Sequence, residues 1–198
     1  MRLTGQCPLC LGPTRHQPLC CHCRRHIRAH AQPPDTLDTS IPLGVRVFSL
    51  GPFAGALRRI VLAVKHGRDQ RLNDWCGQQL AIQSRHLMRP DALTYIPSQR
   101  LSRLRRGGDT AAGLAIAIGR GRGIAVVPTL QPPWRIHSRT RHHGQRQAAK
   151  GFRYQPQPLG RLWLVDDLMA SGHSLRQAHD QLSAEGHIIE AWLVIARA

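Results

Sequence analysis

Acidic side chains are scarce in this sequence: 11 Asp and Glu stand against 28 Lys and Arg, a formal charge of +17 with neutral histidines. Lysine is rarer still, only Lys65 and Lys150, so arginine carries the charge, and its planar fork suits phosphate. A polyanionic partner is the expectation. No apolar run approaches the ~18–20 residues of a bilayer span, so membrane insertion is not expected. The first residues, MRLTGQCPLC, lack the apolar core of a secretory leader, and a cytoplasmic location follows as an expectation. Internal repeats are absent too. Aromatics amount to only 5%, yet 41% of the 198 residues are hydrophobic and 20% charged, which suits one domain and a small appendage and excludes a large multidomain assembly.

Four of the six cysteines form two close knuckles, Cys7-x-x-Cys10 and Cys20-x-x-Cys23, with Gly12 and Pro13 in the turn between them. Four thiolates at this spacing suit structural Zn²⁺, whose binding replaces the burial free energy that so short a segment lacks. A disulfide pair and a redox dithiol compete less well, because reducing surroundings are expected and a redox motif needs one pair. His22 or His26 could replace one sulfur. Cys76 lies in an apolar-periodic stretch and reads as a buried thiol. A zinc-binding head is therefore expected over residues 1–30, then a proline-containing linker over 31–44, then the main domain over 45–198.

In that domain, short apolar runs alternate with helical periodicity. Strands are expected at Val45 to Ser49, Ala92 to Ile96, Ile124 to Val127, Arg161 to Val165 and Ile188 to Ala196. Helices are expected from Phe53 to Val64, from Asp69 to about Leu87, from Thr110 to Ile118 and from Ser174 to Ala184. Asp69 and Asp74 read as helix-face charges. Runs without strict alternation describe a parallel sheet covered by helices on both faces, an α/β fold. Pro128 to Tyr154 has no period and reads as a basic loop or excursion. From Ala92 to Val165 the one acidic residue is Asp109, among arginines that include Arg100, Arg103, Arg105 and Arg106.

The segment from Arg161 to Leu175 is chemically the most specific. An apolar run meets Asp166 and Asp167, then a turn, Ala170-Ser171-Gly172-His173-Ser174, that opens a helix. Backbone N–H groups at a helix start, with a glycine allowing close approach, suit a monophosphate. Two carboxylates beside it suit the vicinal hydroxyls of a ribose, directly or through Mg²⁺.

Over thirteen consecutive positions this segment resembles the phosphoribosyl-pyrophosphate (PRPP) signature of type I phosphoribosyltransferases. The oddity is Trp163, where a small aliphatic residue is usual. The resemblance implies a type I phosphoribosyltransferase-like domain in which Asp166 and Asp167 meet the ribose hydroxyls and Ala170, Ser171, Gly172, His173 and Ser174 hold the 5′-phosphate. If transfer occurs, Asp166 and Asp167 are also the catalytic candidates. With the zinc-ribbon-like head, the chain looks more particularly like the ComF competence proteins, through Ala63-Val64-Lys65-His66-Gly67 and Tyr95-Ile96-Pro97 followed by the arginine run. Gly108-Asp109-Thr110 replaces the Phe-Asn-Gln found in those relatives. Lys65, Arg105 and Arg106 are the candidates for pyrophosphate or DNA phosphate. The resemblance implies PRPP and single-stranded DNA as ligands during DNA uptake; Trp134, Phe152 and Tyr154 lie within the cationic loop, where they suit stacking platforms for bases or, alternatively, core packing. An active phosphoribosyltransferase using Mg²⁺ with PRPP and a zinc-headed adaptor docking a helicase or channel protein are the alternatives.

Overall fold

Four apolar runs of the sequence assemble side by side into one parallel sheet. The computed structural model describes residues 4–29, 41–67, 69–98, 108–132 and 152–198. In chain order these form β1 (Thr4–Gln6), β2 (Pro13–Arg15), α1 (Cys21–Ala29), β3 (Arg46–Ser49), α2 (Gly55–Gly67), α3 (Gln70–Gln83) with a 3₁₀ turn at Ser84–His86, and β4 (Ala92–Tyr95). Next come α4 (Thr110–Arg122), β5 (Leu130–Gln131), β6 (Arg153–Tyr154), β7 (Arg161–Met169), α5 (His173–Ala184) and β8 (Ile188–Arg197). The main sheet has the order β3-β8-β7-β4, and every neighbouring pair is parallel. The expected α/β class, a parallel sheet flanked by helices with a small four-cysteine head, is the architecture observed.

Alternation along the central strands divides the core, since successive side chains leave opposite faces of a sheet. Trp163, Val165, Leu193 and Ile195 join residues of α2, α3 and α4 in one cluster. Leu162, Leu164, Trp192 and Val194 join Leu175, Ala178 and Leu182 of α5 in the other. Two covered faces explain why these strands read as unbroken apolar runs. The head shares the first cluster: Cys7, Leu9, Leu19 and Ile27 belong with Leu50, Leu57, Leu72 and Leu80. Arg28 Nε of α1 also donates to Gln79 Oε1 of α3 at 2.7 Å.

Several boundaries differ from expectation. β7 runs to Met169 because β8 goes on offering it a ladder, with Asp166 opposite Val194 and Leu168 opposite Ala196. Ile124 to Val127 makes a single parallel bridge, Val126 to Leu93, along the outer edge of β4. The base of the basic excursion is closed by β5 and β6, which pair antiparallel at Leu130/Tyr154 and Gln131/Arg153; residues 133–151 lie outside the described residues. Asp69 is a helix cap: it accepts the Leu72 N–H at 3.0 Å and satisfies a donor that the first turn of α3 leaves open.

α3 and α4 approach closely through small residues. A Cβ on buried Gly77 would fall 2.4 Å from the Ala117 Cβ and 3.1 Å from the Leu114 carbonyl oxygen. Gly77→Ala should therefore lower stability by about 1–3 kcal/mol, the overpacking cost exceeding the ~0.5–1 kcal/mol that alanine gains in a helix. Urea unfolding measures the change; a stabilised variant would show that the two helices are not in contact here.

Candidate functional site

The direction of the connections locates the site. From β7 the chain passes through α5 to β8 on one side, whereas from β4 it passes through α4 to the Val126 bridge on the other. Strand order thus reverses between β4 and β7, and ligands of open α/β sheets sit outside the carboxyl ends at such a point. Those ends are held together, with the Ile96 N–H donating to the Val165 carbonyl at 2.9 Å. Tyr95 closes β4 and leads into Ile96 to Ser98, and Asp166 to Met169 form the end of β7.

At the end of β7 the backbone turns over Gly172, whose φ of +68° is a left-handed conformation that glycine adopts without steric cost. α5 begins at the next residue with no side-chain cap, leaving its first amides to other partners. The His173 N–H reaches Ser171 Oγ at 3.4 Å, and Arg176 Nη2 donates to the Ser171 carbonyl at 3.1 Å. Asp166 and the stretch from Leu168 to Leu175 line an open hollow. Ala170, Ser171, His173 and Ser174 are exposed at its rim, and Gly172 is buried at its base. The five positions expected at a phosphate are thus brought together around one cavity.

The two aspartates separate. Asp166 lines the hollow and Asp167 does not; Asp167 is only 7% exposed and accepts from Lys65 Nζ of α2 at 3.0 Å. The Asp167 N–H donates back to Asp166 Oδ1 at 2.8 Å. Burial pushes the Asp166 carboxyl well above the usual carboxylate range; the Asp167 charge adds to the shift, while the Asp167 amide, first, and the Lys65 ammonium oppose it. Asp109 contributes a further negative charge. Its carboxylate accepts the Ser98 N–H at 2.8 Å and the Ser98 hydroxyl at 3.2 Å, tying the start of α4 to the end of β4. Composition gave no signal for either long-range pairing. Arg105 and Arg106, like Trp134, fall outside the described residues. Phe152 and Tyr154 pack against the second core cluster, where Tyr154 Oη lies 2.7 Å from His187 Nε2 and His187 Nδ1 lies 2.8 Å from the Leu159 carbonyl.

The second candidate centre lies in the head. The four sulfurs of Cys7, Cys10, Cys20 and Cys23 all lie within 4.8 Å of one another. Tetrahedral bonds of about 2.3 Å would set sulfurs roughly 3.8 Å apart, so the set fits a metal ion. Burial opposes ionisation of Cys7, but backbone hydrogen bonds at Cys20, Leu9 and Cys10 outweigh it and bring the thiol down to about 7. Cys23 is pushed up by burial and by the neighbouring sulfurs. Four thiolates at such separations need a cation between them. The first knuckle is tight: Cys7 N–H donates to the Gly12 carbonyl and Leu11 N–H to the Cys7 carbonyl, each at 2.8 Å, with Leu11 held at a φ of +61°. In the second, the Cys23 N–H faces Cys20 Sγ at 3.4 Å. His22 and His26 are exposed on α1 and lie outside the ligand set, as do Cys21 and the fully buried Cys76.

A parallel α/β domain with an open hollow at its switch point, joined to a four-cysteine head whose sulfurs could hold a metal ion, is the class that fold and site define. No family model matches the chain, and neither does any curated protein. Among solved structures, it is similar to Leishmania donovani UMP synthase at 18% identity and a TM-score of 0.44, over 71% of this chain and 24% of that one. It therefore spans about a quarter of that protein's length. It is also similar to orotate phosphoribosyltransferase from Aeropyrum pernix, at 16% identity and a TM-score of 0.44, over 86% of this chain and 77% of that one.

Proposed function

We propose that this chain binds a 5-phosphorylated ribose, PRPP or a close relative, in the hollow at the end of β7. The observation that carries the reading is the joining, around one cavity, of the Asp166 carboxylate and the glycine-centred turn from Ala170 to Ser174. The turn and the start of α5 offer amides and a positive dipole end to the phosphate, and Asp166 offers an acceptor to ribose hydroxyls. Mg²⁺, carried in with PRPP, would neutralise pyrophosphate charge and polarise its bond to the sugar. The thirteen-residue match to the type I phosphoribosyltransferase signature supports the same ligand class. Zn²⁺ is the ion proposed for the head, on the chemistry of four thiolates.

Resemblance to the ComF proteins supports a role in DNA uptake, with single-stranded DNA as the second ligand of this arginine-rich chain. An active transferase requires in addition cations over the departing pyrophosphate, the part expected of Arg105 and Arg106, and its sign is pyrophosphate release from PRPP. Calorimetric titration with PRPP·Mg²⁺ and with a single-stranded oligonucleotide, on wild type and on Asp166→Asn/Asp167→Asn, tests the reading. The double variant should lose PRPP and keep the oligonucleotide, whose affinity should fall steeply with salt. A wild type that takes up no PRPP overturns the sugar-phosphate reading.

A further inference from the structure

A trans peptide is planar, so the carbonyl of one residue and the N–H of the next point in opposite directions. In the turn that opens α5, the plane between Ser171 and Gly172 therefore decides which of the two faces a ligand. Gly172 stands at a φ of +68°, and a residue without a Cβ accepts the opposite sign about as readily. This is the plane in the turn that local sterics leave freest to turn over. Turned one way it offers an amide to an anion; turned the other, it offers a carbonyl oxygen that repels one. The Gly172 N–H donates to no group among the described residues, whereas the Ser171 carbonyl accepts from Arg176 Nη2 at 3.1 Å. Leu168 to Leu175 all line the hollow and Arg176 does not, so its guanidinium reaches that carbonyl from outside.

We infer that Arg176 is a positioning residue for the sugar-phosphate site, locking the Ser171–Gly172 peptide with its amide turned toward the hollow. The inference rests on the proposed ligand class and adds to it a residue from beyond the turn itself. The hold is a hydrogen bond from a charged donor, stronger than one between neutral groups. The other fixture in the turn, His173 N–H on Ser171 Oγ, is longer at 3.4 Å. The charges of α5 point the same way. A cation in the first turn of a helix is opposed by the positive end of the dipole, yet the first turn of α5 holds His173 and Arg176, no acid and no side-chain cap. That arrangement is unfavourable in the empty protein and suits an anion at the helix start. Asp180 lies one turn further along α5, at the spacing of a helical ion pair, so its removal is the control for contacts of Arg176 that do not involve the turn.

The test compares Arg176→Gln, Arg176→Lys and Asp180→Asn with wild type in the full-length protein. Ribose 5-phosphate is the calorimetric probe, and the amide resonance of Gly172 reports on the turn. In wild type a single Gly172 resonance should shift downfield as ribose 5-phosphate is added. Arg176→Gln should weaken binding about tenfold, because apparent affinity falls with the fraction of chains that hold the competent turn. In the same variant the Gly172 resonance should split or broaden before any ligand is present, while those of the sheet stay in place. Arg176→Lys should return most of the affinity, and Asp180→Asn should stay within about twofold of wild type. The difference between Arg176→Gln and wild type should persist in about 0.5 M salt, where attraction between separated charges is screened. Without ligand, the melting temperature of Arg176→Gln should stay within about 3 °C of wild type, since the lost hydrogen bond and the relieved dipole repulsion oppose each other. A single, unmoved Gly172 resonance in Arg176→Gln, a difference that vanishes in salt, or Asp180→Asn as damaging as Arg176→Gln overturns the inference. So does a larger fall in melting temperature with changes spread across the sheet. If wild type takes up no ribose 5-phosphate, the ligand reading fails by itself, and the Gly172 resonance of the empty variant still decides the lock.

Discussion

Changing Cys10 or Cys20 to serine should empty the head of metal, from about one zinc per chain to less than a tenth, and unfold residues 4–29 while the sheet persists. The size of the effect follows from how little else holds this segment. Its secondary structure is a ribbon of two three-residue strands and a helix of nine residues, shorter than an isolated helix needs to be stable in water. Its buried residues, Leu9, Leu19 and Ile27, reach the main core only when the knuckles fold them inward. Structural zinc contributes on the order of 10 kcal/mol to such folding. Metal analysis, with limited proteolysis cutting between α1 and the ribbon in the variants but not in wild type, measures the outcome. Cys21→Ser is the contrast, because Cys21 is exposed and outside the cluster. Equal loss of metal from Cys21→Ser, or wild type purified with cystines and no metal, would overturn the four-cysteine site.

The ligand spacing of that head was legible because a metal site made from two knuckles is local in sequence. The turn around Gly172 was legible as a turn for the same reason: strand, acids, small residues and helix lie within fourteen residues. What joins distant segments was not. Lys65 and Asp167 are 102 positions apart, and nothing in either neighbourhood announces the other. Asp109 stands where a helix cap is expected, yet its carboxylate is taken by Ser98, three residues past the end of β4. The end of β7 was missed because two acids look like a strand terminus, whereas the apolar stretch of β8 from Ala191 to Ala196 supplies partners as far as Met169. Trp163 departs from the small residue usual at its position, and its space comes from elsewhere: α4 buries mostly alanine, glycine and single branched residues. The guanidinium of Arg122, from the last turn of α4, lies 5.5 Å from the Trp163 ring.

Asp166→Asn should weaken sugar-phosphate binding by an order of magnitude or more and at the same time make the empty protein more stable at neutral pH. The two effects share a cause. Burial beside Asp167 raises the Asp166 carboxyl in the folded chain above its value in the unfolded chain. Below the unfolded value both states hold the proton, and the site costs nothing. As pH rises past that value the unfolded chain releases its proton while the fold resists, so stability declines until the raised folded value is passed. Above it the cost is constant. An amide in this position carries no charge and escapes the cost, at the level of the ~0.5–2 kcal/mol commonly recovered on relaxing a functional site, or a few degrees in melting temperature. The gain over wild type should therefore vanish toward pH 4 and grow as pH rises until the raised folded value is passed, which paired melting curves from acid to alkaline pH would read. A gain independent of pH would assign it to packing, and a loss at neutral pH would mean that the Asp166 charge is stabilised in the empty protein. The outcome expected here is that of a carboxylate kept where the fold does not favour it, in a hollow also lined by Leu168, Met169 and the turn from Ala170 to Leu175, and the proposed ligand, donating hydroxyls to Asp166, would return the missing stabilisation.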